Sequence, residues 1–563
     1  MSIRPSLAAF AALTAILLFA TFARPEASAA GTISGEIPTG GGLALVSWSG
    51  GPTSDIVNAS AERGCSLNSV WSFVGGFPIG YLVGAPEFVN SSYLAVYSGG
   101  DVPAGPLLLV CRPTLVLNPG DNIGAVVSSQ PSGTTFVFNP GVYRGVTITG
   151  RDGDVFQAEP GAILNGSRVL QGFQPAGDDW LIGGQTSQLA TAGGCAKFLG
   201  QSYSGCQHPE QLFIDGALLW QVTKRSQLTS GRWYFDYGAN RIYVADNPQG
   251  RLVELSDTSV AFRGGARDLT ISGFIIEKYA SEAQRGAIHP DSSGSGWLVL
   301  NNEVRYNHGT GIRTRTDHVV RNNFVHHQGQ IGIAGVGDRT LIEGNEISFN
   351  GISGFNPFWE AGGTKWALTN DLVVRNNHVH HNLGRGLWTD IDNRNSLFEG
   401  NLVENNDQNG IAHEISYSAV IRDNVVRNNG LAFDVWVWGA QILIQNSADT
   451  LITGNTVTVS ADAGDGIAVI NQDRGSGRLG TYVSRNVTVE NNEITHLGTV
   501  GQSGVADDTN NEFSCSANAN VTFNGNTYRV GNTEVDHWFW CKNLDWDGVR
   551  STGAEAQGIA IGS

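Results

Sequence analysis

Lysine is nearly absent from this 563-residue chain, methionine occurs once, and charged residues make up only 15%. Long Glu/Lys/Ala/Leu runs with a 3.6-residue period are missing, which argues against a helical protein. No C-x-x-C pair occurs, so zinc is a poor use for the six cysteines. Beyond the first thirty residues no run approaches the roughly 20 apolar residues that span a bilayer. The G-x-S-x-G, P-loop and G-x-G-x-x-G nucleophile and nucleotide motifs are absent. His413-Glu414 opens an H-E-x-x pattern, but Tyr417 takes the fifth place. The net charge of −17 argues against nucleic acid and anionic membranes as partners. A polyanionic glycan meets the same objection unless a local basic patch or cations intervene.

What is present begins with an export signature. Arg4 supplies a positive start, Leu7 to Phe22 an apolar stretch, and Ala27-Ser28-Ala29 a small-residue cleavage site. Residues 1–30 are therefore expected to be a signal peptide, with a membrane anchor as the alternative, and the chain to be secreted or on the cell surface. The cysteines agree with export. Their proximity suggests the couples Cys65 with Cys111, Cys195 with Cys206, and Cys515 with Cys541, among fifteen connectivities.

The strongest signal is a repeat from about residue 268. Apolar-flanked asparagines recur at Asn302, Asn323, Asn345, Asn377, Asn401, Asn424, Asn455, Asn492 and Asn526. The shorter gaps are 21 to 24 residues, and the longer ones read as one coil plus a loop. About nine residues after most of them comes Gly and an apolar residue, as in Gly311-Ile312, Gly332-Ile333, Gly386-Leu387 and Gly410-Ile411. Short β runs with Asn/Gly turns at this period mean a β-solenoid. Each coil buries its apolar side only by stacking, and stacked asparagines hydrogen-bond along the axis.

These Asn/Gly coils resemble the right-handed parallel β-helix repeats of the pectate-lyase-like superfamily. Asn139 to Ile148 and Ala158 to Ser167 resemble its first coils, and Pro209 to Gln221 with Gly231 to Val244 resembles a β-rich insert of some β-helix glycan-processing enzymes. The resemblance implies an all-β fold and a polysaccharide partner. The expected organisation is a signal peptide (1–30), a small aromatic-rich all-β module (31–113), the start of the β-helix with its insert (114–268), regular coils (269–545) and a C-terminal tail (546–563). The module is read as a glycan-binding or wall-attachment unit, or as a β-domain whose aromatics form its own core. The aromatic segment around Cys541 is expected to cap the last coil.

Aligning coils on the Gly-apolar step places candidate chemistry. Strand residues alternate sides, so the apolar residue faces the core and the first, third and fifth residues after it face outward. Arg313, Arg315, Trp388, Asp390, Asp392 and Glu414 are then expected on one outer surface. Asp390 and Glu414 fall in one column of adjacent coils, roughly 5 Å apart at the backbone. Two carboxyls so close must differ in proton affinity, which suits acid and base roles. Asp390, Glu414 and Asp392 are the catalytic candidates, and Trp388 is a candidate platform for a sugar ring. The bland alternative has the acids solvated and paired with Arg394 or Arg422. Trp359, Glu360, Lys365 and Trp366, in a long insertion, are expected to wall a groove. His413 alternates inward and is a minor substrate-binding candidate. The His326-His327 and His380-His381 pairs read as turn-lining residues more than as a metal site.

Three readings follow. The first is a polysaccharide-degrading glycoside hydrolase with no required cofactor. The second is a uronate-polysaccharide lyase, with Lys365 or Arg315 as base and acids holding Ca²⁺. The third is a non-catalytic surface or glycan-binding protein.

Overall fold

The computed structural model describes residues 114–563 except 198–199, 201, 433–435, 510 and 563; before residue 114 it describes only seven short strands. The predicted signal peptide, the Cys65–Cys111 couple and the aromatics around Tyr93 lie outside the described residues. Two compact units are distinguished. The smaller holds a five-stranded antiparallel sheet ordered Ile33–Ser34, Leu43–Trp48, Gly105–Val110, Val70–Val74, Phe77–Tyr81.

The larger unit is a right-handed parallel β-helix. Three sheets of thirteen strands wind around one core, each regular coil giving one strand to each sheet, and Asn543–Leu544 closes one of them antiparallel to Trp538–Trp540. We call the sheet that carries the candidate site the front sheet. Its strands include Gly286–Pro290, Thr310–Thr314, Ile331–Asp338, Gly362–Asn370, Leu387–Asp390, Ile411–Glu414, Ala440–Gln445 and Asp465–Asn471. The core between the sheets is aliphatic and aromatic, with Ile312, Ile333, Leu387, Ile411, Ile442 and Ile467 fully buried.

The asparagine repeat forms a continuous buried ladder. From Asn302 through Asn526, each side-chain amide donates to the next Asn Oδ1 at 2.9–3.0 Å. The same Oδ1 also accepts the backbone N–H of the asparagine one coil earlier. The left-handed residue of each turn is the one before the ladder asparagine: Asn301, Asn322, Gly344, Asn376, Gly400, Asp423, Gly454, Asn491 and Gly525 have φ of 55–71°. Asn and Gly tolerate that conformation, which explains the recurring Asn-Asn and Gly-Asn pairs. The ladder ends on buried Glu555, whose Oε1 accepts from Asn526 at 2.7 Å.

A second ladder runs five residues after the first through Asn307, Gln328, Asn350, Asn382, Asn406 and Asn429, and ends on Gln441. His327 and His381 are its left-handed turn residues, stacked on either side of Phe349 at 5.3 and 5.1 Å between ring centroids. The glycines that open the front-sheet strands face close backbone: a Cβ on Gly363 or Gly386 would lie 2.6 Å from the next coil's carbonyl oxygen.

The insert is an eight-stranded sheet with its own core of Leu212, Trp233, Phe235, Ile242, Val244 and Leu255. Disulfides join Cys195 to Cys206 and Cys515 to Cys541. Trp546–Ser551 is helical, and Ile559–Gly562 adds the last strand to a long sheet beside Thr527–Val530. Among the described residues no helix is long and apolar enough to cross a membrane.

Candidate active site

The site is built on four rungs of the front sheet, where alternation turns odd positions outward. The register pairs Asp390 directly with Glu414 across strands Leu387–Asp390 and Ile411–Glu414. Parallel neighbours lie about 4.8 Å apart, so the two carboxyls share one column. Neither is solvated: Asp390 is 7% exposed and Glu414 6%. The arginines once weighed as partners are elsewhere; Arg422 pairs with Glu399, and Arg394 makes no ion pair among the described residues.

Each acid has its own cations. Asp390 Oδ2 lies 3.0 Å from Lys365 Nζ, while its buried Oδ1 finds no hydrogen-bond partner among the described residues. Glu414 accepts from Arg385 at 2.6 Å, Arg474 at 2.8 Å and Trp388 Nε1 at 3.1 Å. These surroundings drive the pair apart. Burial, then the Glu414 charge, raises the proton affinity of Asp390 against the pull of Lys365. Burial also pushes Glu414 up, but Arg385 and Arg474 together outweigh it and hold Glu414 below the usual range. The two neighbouring carboxyls are thus shifted in opposite directions.

Lys365 ties the cluster together. Its ammonium also donates to the Trp359 carbonyl at 3.1 Å, lies 3.8 Å from Glu360 and stands 4.0 Å from the Trp388 ring centroid. Glu360 closes the short helix Pro357–Glu360, is buried, and accepts from Gln284 at 2.5 Å. Lys365 thus reaches Asp390, and Glu360 reaches Lys365.

Other candidates are placed differently. Trp388 is not an open sugar platform: it is 2% exposed, lies under Lys365 and Arg385 (4.2 Å to its centroid), and packs with Ala412, Leu443 and Val437. Trp366 does not wall a groove, because its register partner is Thr389 and it points into the core. Trp359 packs around the Cys195–Cys206 disulfide with Phe355 and Tyr203, giving the site only its carbonyl. His413 is fully buried, its Nδ1 2.8 Å from Thr389 Oγ1, and no bulge turns it outward. Asp392 does not join the acid pair. Ile391 and Asp392 both adopt left-handed backbone, which breaks the alternation. Its Oδ1 instead accepts from Tyr482 Oη at 2.9 Å and from the Arg478 amide at 3.0 Å, pinning the hairpin that delivers Arg474. Arg313 and Arg315 do face outward, flanking buried Thr314.

Two residues of this cluster escaped the sequence reading. Arg385 sits in the turn before Gly386-Leu387, and Arg474 comes from 60 residues beyond Glu414. Among the described residues no group of three or more His, Cys, Asp or Glu is disposed to hold a metal ion. His326 and His380 contact Glu303 and Glu346 instead, at 3.2 and 3.3 Å.

The larger unit has the architecture of a right-handed parallel β-helix. The family model for a right-handed β-helix region matches residues 286–456, which hold most of this site. Among solved structures, the complex of XylC with xylose is similar at 17% identity and a TM-score of 0.59, over 78% of this chain and 82% of that one. The A-module of mannuronan C-5 epimerase AlgE6 from Azotobacter vinelandii gives 15% identity and 0.43, over 78% and 94%. The Family 28 exopolygalacturonase of Yersinia enterocolitica gives 11% and 0.33, over 89% and 95%. No curated protein sequence matches the chain.

Proposed function

We propose that the chain is an extracellular glycoside hydrolase acting through Asp390 and Glu414. One observation carries this reading: two outward carboxyls on adjacent rungs, buried beside each other, whose surroundings give them opposite proton affinities. Glycosidic cleavage needs that division. A protonated carboxyl gives its proton to the leaving oxygen as the C1–O bond breaks, and an ionised one meets the positive charge at C1. Asp390, whose proton affinity is raised, is assigned the acid role, and Glu414, whose proton affinity is lowered, the ionised one. Arg385, Arg474 and Lys365 fix the pair's orientation. The one-rung spacing favours the short separation of about 5–5.5 Å, in which a carboxylate attacks C1, water then releases the sugar, and configuration is retained. The likeness in fold to a protein solved with xylose supports a sugar ligand. Two disulfides support an oxidising, extracellular setting.

The test is a glycan panel read for new reducing ends and for absorbance of unsaturated uronates. Asp390→Asn and Glu414→Gln should each lower turnover by about 10³-fold or more with the fold unchanged. Azide should restore one of them, which assigns the two roles. Unsaturated products would overturn hydrolysis in favour of a lyase. Unchanged glycan binding without any cleavage by the wild type would leave a binding protein.

A further inference from the structure

A second concave site lies at the other edge of the apolar cluster that buries Trp388. Strand Asp465–Asn471 is two rungs beyond Ile411–Glu414, about 10 Å along the solenoid. Ile470 occupies the column of Glu414, and Asp465 opens the strand five residues earlier, roughly 16 Å away along it. There Gln502, Asp536 and Asn543, from later coils, meet Trp436 and Asp465 around an open cleft of about 510 Å³. That volume is typical of a small-ligand site.

The lining residues are fixed in place, yet each keeps a surface for a ligand. Trp436 adopts left-handed backbone (φ 55°), which is costly for a bulky residue and persists only where the surroundings impose it. Its indole is braced edge-to-face by Trp438 at 5.9 Å and Phe539 at 5.7 Å between ring centroids, and it stays partly exposed. Buried Asp465 accepts the Gly439 amide on Oδ2 and the Gln502 amide on Oδ1, which leaves a further lone pair on each oxygen. Burial raises its proton affinity, so the carboxyl can donate as well as accept. Gln502 Nε2 donates to the Asp536 carbonyl at 2.9 Å and to Asn543 Oδ1 at 3.2 Å. Gln502 Oε1 and Asn543 Nδ2 then have no partner among the described residues. The Asp536 side chain is exposed and makes no ion pair among them. Gly501 (φ 83°) also borders the cleft, where a Cβ would stand 2.5 Å from the Gly464 carbonyl oxygen.

We propose that this cleft is a second, non-catalytic sugar site, which holds one uncharged hexose or pentose unit with its ring face on Trp436 and its hydroxyls on Asp465, Asp536 and Asn543. The C–H face of a pyranose packs on an indole, and planar carboxyl and amide groups bond neighbouring hydroxyls. Two carboxyls line the cleft and, among the described residues, no Lys, Arg or His does, which disfavours a uronate, sulfate or phosphate ligand. The cleft is too far from Asp390 and Glu414 for one sugar unit to touch both, so the site does not depend on reading that pair as a cleavage centre.

Fluorine NMR reads the site directly. The full chain carrying 5-fluorotryptophan is titrated in EDTA with the methyl glycosides of D-glucose, D-xylose, D-galactose and D-mannose, and with D-glucuronate. The Trp436 resonance is assigned by its loss in Trp436→Phe. At least one neutral glycoside should shift that resonance saturably, and glucuronate should bind there about tenfold or more weakly. Asn543→Ala and Asp536→Ala remove exposed side chains, and each should weaken binding by about threefold or more with the melting temperature retained. Asp390→Asn should leave the shift unchanged. A Trp436 resonance that no neutral glycoside moves, equal affinity for glucuronate, or an affinity that both alanine variants retain would each overturn the proposal. A shift abolished by Asp390→Asn would place the sugar at the acid pair and overturn it as well. A saturable Trp436 shift in a chain that cleaves no glycan would instead refute the hydrolase reading alone.

Discussion

The two halves of the front face, divided by Asp390 and Glu414, are built differently. On the N-terminal side the outward column reads Arg263, His289, Arg313, Ala334, Lys365, and it is polar and partly open. On the C-terminal side it passes from Trp388 through Ala412, Leu443 and Ala468 to Phe539, all buried. Trp436, Val437 and Trp438 lie over that second half and complete a small hydrophobic cluster outside the solenoid. One strand pattern thus yields a ligand-facing surface or an extra core, depending on whether another segment returns to cover it. The acid pair sits at the boundary, with apolar packing on one side and water on the other. That position explains how both carboxyls are desolvated while lying on the outer side of the sheet.

The largest way to break the contrast is to charge the covered half. Val437 is fully buried, and a carboxylate there has no partner. Val437→Asp should cost about 3 kcal/mol or more in urea unfolding. Arg315→Ala on the open half should stay within about 0.5 kcal/mol. Equal effects of the two changes would erase the distinction.

The cover is also held by a proton-sensitive clamp. Asp465 accepts from the Gly439 amide at 3.1 Å and the Gln502 amide at 2.9 Å, joining the covering segment to a later coil. Burial nevertheless pushes its carboxyl up to about 7, from an ordinary 3.8. A folded-state value above the unfolded one means that the native state binds the extra proton. The contribution is complete below about pH 4 and is lost as pH rises to about 7. The wild type should therefore lose on the order of 3 kcal/mol more than Asp465→Asn between pH 4 and 8. Parallel pH profiles of the two proteins would show that Asp465 ionises normally.

The solenoid was legible in the sequence because its first ladder repeats the same residue at every coil. The second ladder was hidden by Gln328 and Gln441, which accept from the preceding asparagine as an asparagine would, although Gln328 reaches Asn350 only through its backbone N–H. The acid column was legible because Gly386 and Gly410 mark the same backbone approach in neighbouring coils. Trp366 was misplaced because its coil opens with Gly363-Thr364, where the apolar marker is replaced by a buried threonine bonded to the Gly386 carbonyl. Alternation correctly turned Trp388 outward, but it carries no information about what lies on top; the cover comes from 48 to 50 residues downstream. Arg474 was invisible for the same reason, since no local period connects a hairpin to a glutamate 60 residues earlier.

The smallest expected effect concerns that hairpin, the one covering element that reaches the pair itself. Strands Ser476–Gly477 and Gly480–Thr481 form it, and Tyr482 Oη bonds Asp392 at 2.9 Å while the Tyr482 amide donates to Gly475 at 2.9 Å. Tyr417 adds a further bond to the Gly480 carbonyl at 3.1 Å. Tyr482→Phe removes one bond of about 1 kcal/mol and leaves the aromatic contact with Tyr417 in place. Global stability should barely change, but local opening should become about fivefold more frequent. Hydrogen exchange at the Tyr482 amide reads this directly, and cleavage should fall less than tenfold, because Arg474 then reaches Glu414 for a smaller fraction of the time. An exchange rate equal to wild type would mean that Asp392 does not secure the hairpin, and that the arginine on Glu414 is positioned by the coils alone.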